Sequence, residues 1–154
     1  MNFKSPKIEK IYEALSVLAD SRIEYTTNTS AKIYSSDKSK FYTLIWNDEY
    51  DKFYSDDNAS KWQSTLGYPI IAVLFDKHKL PCNISSLPPF AGINWNAINK
   101  EFKRDYAAAT DFFLDDKFDH EKDRESIKNE VKEAYKILTQ LKIRKSSKKE
   151  LVVK

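Results

Sequence analysis

Residues 22–54 read RIEYTTNTSAKIYSSDKSKFYTLIWNDEYDKFY, and the spacing of rings and β-branched side chains in this stretch decides the fold. Four short runs, Arg22–Tyr25, Ala31–Ser35, Phe41–Trp46 and Lys52–Tyr54, are rich in residue types that favour a pleated surface. Between them lie 26–30, 36–40 and 47–51, rich in Ser, Thr, Asn and Asp, whose short polar side chains bond nearby backbone and turn the chain. Links this short join neighbouring strands antiparallel, so the stretch predicts a four-stranded meander. In the third run Phe41, Thr43 and Ile45 face one way, while Tyr42, Leu44 and Trp46 face the other. Both sets are largely apolar, which places this strand in the middle of the sheet.

Outward from the meander the period becomes helical. Ser5-Pro6 reads as an N-cap followed by a first-turn proline, and Ile8, Ile11, Tyr12, Leu15, Leu18 and Ala19 form one apolar face ending near Asp20. Ser60-Lys61-Trp62-Gln63 has the form of a capping box, with Leu66 continuing the face of Trp62. Gly67 suits a C-cap and Pro69 a new first turn, which gives two helices, 60–66 and 69–78, or one helix sharply kinked. The second is apolar nearly all round, so it is expected to be buried or to sit against a partner. Residues 80–93, with three prolines and Gly92, read as an irregular crossing. Asn94 caps one long helix to about Leu114, with Trp95, Ile98, Phe102, Ala109 and Phe113 on one face. After a charged break at 115–123, a last helix over 124–143 presents Ile127, Val131, Ala134, Leu138 and Leu141.

The fold class expected is therefore α+β: an N-terminal helix, a four-stranded antiparallel β-meander, then about four helices packed on the sheet. Residues 1–143 form a single domain, and 144–154 form a basic, flexible C-terminal tail. The formal charge of +3 is concentrated at that end: residues 142–154 carry +5, leaving −2 for 1–141. A basic balance overall is therefore no argument for nucleic acid. Two glycines in 154 residues count against phosphate-cradling loops of the P-loop or dinucleotide-binding kind. A single cysteine, Cys82, allows no internal disulfide, and the longest nearly apolar run, Tyr68–Phe75, is too short to span a bilayer. With no apolar signal-peptide core after Met1–Lys10, these features point to a soluble, cytoplasmic protein.

Catalytic groups are scarce. Cys82 and His78 lie four residues apart but in no nucleophile motif, so the reading leans away from an enzyme. Asp111, Asp115, Asp116, Asp119, His120, Glu121 and Asp123 crowd one link, yet lack both the calcium-loop pattern with its glycine and the zinc-helix pattern. No cofactor and no metal is expected. The rings remain: Tyr34, Tyr42, Trp46, Tyr54, Trp62, Tyr68 and Trp95 form the candidate ligand or partner surface. They suggest first a non-catalytic protein-interaction or regulatory domain, with a protein partner or self-association. A second reading is nucleic-acid binding by the aromatic sheet and the basic tail, whose apolar Leu151-Val152-Val153 stretch would instead dock on a neighbour. The third is a small-molecule enzyme or sensor, with a pocket between sheet and helices lined by Trp46, Trp62, Tyr68 or Trp95 and converging polar groups.

Overall fold

The structure, a computed structural model, describes residues 1–82 and 87–152. The crossing expected over 80–93 lies outside the described residues at 83–86, as do Val153 and Lys154 at the chain end. Four strands form the meander: β1 (Ile23–Thr27), β2 (Ser30–Tyr34), β3 (Phe41–Trp46) and β4 (Lys52–Ser55), each antiparallel to the next. Among the described residues a fifth strand, β5 (Arg144–Lys145), joins β4 in parallel, and the order β1-β2-β3-β4-β5 leaves β3 central. Two residues have no readable period, so this strand carries no signature within the basic stretch 144–154. It is held by backbone bonds: Arg144 N–H donates to the Asp51 carbonyl at 2.8 Å and Ser146 N–H to the Phe53 carbonyl at 3.0 Å. The N-terminal residues add a further link, with Phe3 N–H on the Ile143 carbonyl at 2.8 Å.

The register assigns each ring to a face. Ile33 and Tyr42 pair, as do Ala31 and Leu44, and Trp46 and Phe53; all of these point inward. Tyr34, Phe41, Ile45 and Tyr54 point the other way, and of the outward residues of β2–β4 only Ile45 is buried.

Helix α1 spans Lys10–Ala19, starting later than the Ser5-Pro6 signal predicted. The chain before it is committed elsewhere: Lys4 N–H donates to the Ser64 carbonyl at 2.8 Å, and Tyr135 Oη donates to the Pro6 carbonyl at 2.7 Å. Two separate helices follow the sheet, α2 (Asn58–Gln63) and α3 (Tyr68–Asp76), rather than one kinked helix, and their caps differ from the prediction. Asp57, not Ser60, caps α2, and Ser64 at φ 51° ends it, while Gly67 at φ −85° opens α3. The long helix predicted from Asn94 to Leu114 is two, α4 (Trp95–Glu101) and α5 (Tyr106–Lys117). Asn94 caps the first through Ala97 N–H at 3.0 Å, and Asp105 caps the second through Ala108 N–H at 3.1 Å. The last long helix, α6, spans Glu121–Gln140, and α7 (Lys148–Val152) follows β5.

Helix α3 is buried from Pro69 to Phe75 and packs on both the sheet and α1, the placement its all-round apolar surface demands. Helix α6 in turn lays Ile127, Val131, Ala134 and Leu138 against the core, with α1 as a neighbour. Among the described residues no helix is long and apolar enough to cross a membrane.

Candidate functional site, a cationic cleft

The predicted rings fall into three environments. Trp46 and Trp95 are core residues: Trp46 stacks on Phe53 at 5.7 Å, and the Trp95 indole donates to Ser16 Oγ at 2.7 Å. The Trp46 Nε1 is buried without a hydrogen-bond partner among the described residues. Tyr34 and Tyr54 lie on the outward sheet face, where Tyr34 meets Phe41 at 5.8 Å, and Trp62 on α2 is 74% exposed. Tyr42 and Tyr68 meet edge to face at 6.2 Å and share the wall of a cleft of about 580 Å³. The structure thus brings two of the seven together at one site.

The cleft is built from chain junctions rather than from one element. Lys7 precedes α1, and Lys10 and Glu13 lie on its first turns; Lys40 and Tyr42 come from the start of β3. Asp57 comes from the N-cap of α2, and the α2–α3 junction gives Gln63, Gly67 and Tyr68. Further lining comes from Asn96, Asn99 and Lys100 of α4, Arg104 of the turn after it and Tyr106 at the start of α5. Five cations therefore face two carboxylates, in a part of the chain that the net charge had marked as mildly acidic. The Lys7 and Lys10 ammonium groups lie 5.4 and 4.3 Å from the Tyr106 ring centre, and Lys40 lies 5.4 Å from that of Tyr42. Three of the five cations are thus seated on aromatic faces.

The turn carrying Arg104 is strained. Lys103 at φ 53° and Arg104 at φ 65° are consecutive non-glycine residues in the left-handed region, which costs on the order of 1 kcal/mol or more each. Arg104 N–H donates to the Asn99 carbonyl at 2.7 Å, closing α4 and fixing where the guanidinium departs. The break that sequence periodicity missed is the feature that delivers a cation to the cleft.

Both acids are occupied. Glu13 bonds Lys10 at 3.0 Å. Asp57 is 5% exposed, accepts from Ser60 N–H at 3.1 Å, and takes a short hydrogen bond from Ser55 Oγ. Burial raises its carboxyl above the ordinary range, against the lowering effect of the Ser55 and Ser60 bonds. Gly67 lies against it so closely that a Cβ there would come within 2.0 Å of Oδ2. Burial also pushes the Tyr68 phenol up, so it stays a neutral donor. From sequence Asp57 reads only as one of the acids, with Asp48, Glu49, Asp51 and Asp56, at the far end of the sheet, and not as a site residue. Its signal was an Asp placed just before a helical run, masked by the Ser-x-x-Gln string three residues on.

The other sequence candidates stay apart from the cleft. In the acidic link, Asp115 lies 3.6 Å from Arg124 and Asp111 lies 4.0 Å from Lys128, so α6 supplies counter-charges. Among the described residues no group of three or more metal-ligating side chains converges. Cys82 is half-buried beside an apolar hollow formed by Ile11, Leu15, Phe75 and Phe90.

No curated protein matches the chain, and no solved structure does. Residues 3–144 match a family model described as uncharacterised conserved protein UCP014422, and the chain belongs to that family.

Proposed function

We propose that this protein binds an anionic small molecule in the cleft between α1, β3, the α2–α3 junction and α4. The observation that supports it is the five-to-two excess of cations in a hollow of about 580 Å³, a size suited to a small ligand. Like charges gathered on one concave wall repel one another, and a bound anion relieves that repulsion. The arrangement also offers neutral donors beside the cations, from Gln63, Asn96 and Asn99 and from the Tyr68 phenol. This is the pocket reading of the sequence with a changed lining: tyrosines and cations instead of tryptophans.

The interaction-domain reading draws on large aromatics, a very apolar helix and a long amphipathic helix; the apolar helix α3 is buried, which leaves exposed rings to support it. The exposed rings are Tyr25 on β1, Phe41 on β3, Trp62 on α2 and Phe112 on α5. The outward sheet face of Phe41 also carries the nucleic-acid reading, with Lys32 4.8 Å from the Phe41 ring centre. Neither gathers as many complementary groups in one concave place as the cleft does.

The test is thermal unfolding with phosphate, pyrophosphate or citrate against chloride at equal ionic strength. A rise in Tm with the polyvalent anions is expected, with at least a tenfold loss of affinity in the Lys10→Glu, Arg104→Glu double variant. Equal melting in all salts ends the proposal.

A further inference from the structure

Helix α4 presents Asn96, Asn99 and Lys100 to the cleft, the i, i+3, i+4 spacing of one helical face. Their surroundings differ. Asn96 and Lys100 are exposed and meet solvent, whereas Asn99 is only 8% exposed. It follows Trp95 by one turn, and Trp95 is packed into the core with its indole on Ser16 Oγ of α1. Asn99 therefore holds a position at the edge of the core where an apolar side chain would normally sit. Its backbone carbonyl accepts from Arg104 N–H at 2.7 Å, but its side-chain amide has no hydrogen-bond partner among the described residues. The two carboxyl groups of the cleft are bonded within the chain, Glu13 to Lys10 and Asp57 to Ser55 and Ser60. A buried amide left unpaired costs free energy, so its presence on a cleft wall calls for a partner that enters the cleft.

We infer that Asn99 makes the cleft selective for polyvalent anions that also carry a hydroxyl group, of the hydroxycarboxylate or polyol phosphate kind. This rests on the anion-binding reading above and narrows it. An amide is two-sided, since Nδ2 donates and Oδ1 accepts. The lysines and the arginine of the cleft are donors only, and a fully ionised oxyanion only accepts. Such an ion can satisfy Nδ2 but offers Oδ1 nothing. A hydroxyl on the same molecule supplies the missing donor. A neutral polyol would satisfy the amide but forgo the charge-assisted hydrogen bonds, which are the strong ones. A zwitterion would bring its donor as a further positive charge, into a wall where cations already outnumber carboxylates.

Calorimetry on the full chain tests this with two pairs of anions, each pair alike in charge and differing in hydroxyl groups: citrate against tricarballylate, and glycerol 3-phosphate against propyl phosphate. The hydroxylated member of at least one pair should bind about tenfold tighter or more, and the pair that shows it separates carboxylate from phosphate ligands. Asn99→Leu, close in shape but unable to bond, should bring the two members within about twofold of each other while changing the affinity for the hydroxyl-free member less than about twofold. A merely structural role would weaken both members alike. Without any anion, Asn99→Leu should melt no lower than the unsubstituted protein, because it removes an unpaired buried amide. A lower Tm with the selectivity retained would overturn the inference. Equal affinity within both pairs would also refute it and leave the anion-binding reading standing, whereas no binding by any of the four, or by pyrophosphate, removes both. Should Asn99→Leu not fold, Asn99→Ala takes its place in the same comparison of pairs.

Discussion

Two hollows flank helix α1, and they differ by more than an order of magnitude in volume. On one side Ile11 and Leu15, one helical turn apart, face Phe75, Phe90, Val131 and Ala134 around a space of about 20 Å³. On the other, Lys10 and Glu13 face the cleft of about 580 Å³. The same ten-residue helix borders both. Apolar walls close on one another because every void forfeits dispersion contacts and leaves surface unburied. Cationic walls resist closing, since each ammonium or guanidinium keeps its hydration and repels the next. The small hollow is therefore what packing leaves behind, whereas the large one is held open by its chemistry.

Phe90→Ala tests the packed side and should have the largest effect. Phe90 is fully buried and meets Phe113 at 4.9 Å and Tyr12 at 6.2 Å. Losing its ring should cost about 3–5 kcal/mol in a denaturant titration. Anion affinity, measured where the variant is still folded, should change less than twofold. A large loss of binding with little loss of stability would break the division between the two hollows.

Gly67→Ala tests the floor of the cleft, with a smaller effect. The backbone there, at φ −85°, suits alanine, so any cost comes from the new methyl meeting Asp57. Asp57 cannot swing away without abandoning Ser55 and Ser60. A loss of about 1–3 kcal/mol is expected, in the range for overpacking. Asp57→Ala alone should cost about 1 kcal/mol as a lost cap. In the double variant the methyl has room, so the combined cost should fall below the sum of the two. Strict additivity in that cycle would show that Gly67 and Asp57 do not press on each other.

What could be read from the sequence, and what could not, follows the same division. The meander, the central place of β3 and the burial of α3 were legible because period 2 and all-round apolarity are patterns over many residues. The predicted direction of β3 also held, and register then sorted Tyr42 and Trp46 inward and Tyr34 and Tyr54 outward. The cleft was not legible, because Lys7, Lys40 and the Lys100–Arg104 turn come from three separate places in the chain and meet only through tertiary folding. Tyr42 and Tyr68 were noticed as rings, but their shared wall is a long-range contact. The break at 102–105 hid for a different reason. Phe102, Ala109 and Phe113 keep helical spacing across it, and nothing in Lys103-Arg104 announces left-handed backbone, since neither is Gly or Asn. Similarly β5, two residues long, is defined by its neighbours and not by its own pattern.

The gentlest test of the comparison is pH, because Asp57 is the one carboxyl of the cleft floor whose titration burial has displaced. Its folded value is raised above the ordinary 3.8, chiefly by desolvation. Between those two values the folded protein binds more protons than the unfolded chain, so stability falls as pH rises through that window and levels off above the folded value. For one proton the slope cannot exceed about 1.4 kcal/mol per pH unit. Asp57→Asn keeps an acceptor for Ser60 N–H but has no proton to lose. The difference in unfolding free energy between the two proteins should therefore drift in favour of Asn as pH increases from about 4, the ordinary carboxyl range. The apolar hollow supplies the control, since Phe90→Ala should shift the whole stability curve without changing this slope. A wild-type curve parallel to that of Asp57→Asn across the window would mean that the carboxyl is solvated in solution, and that the floor of the cleft is wetter than the packing around Gly67 implies.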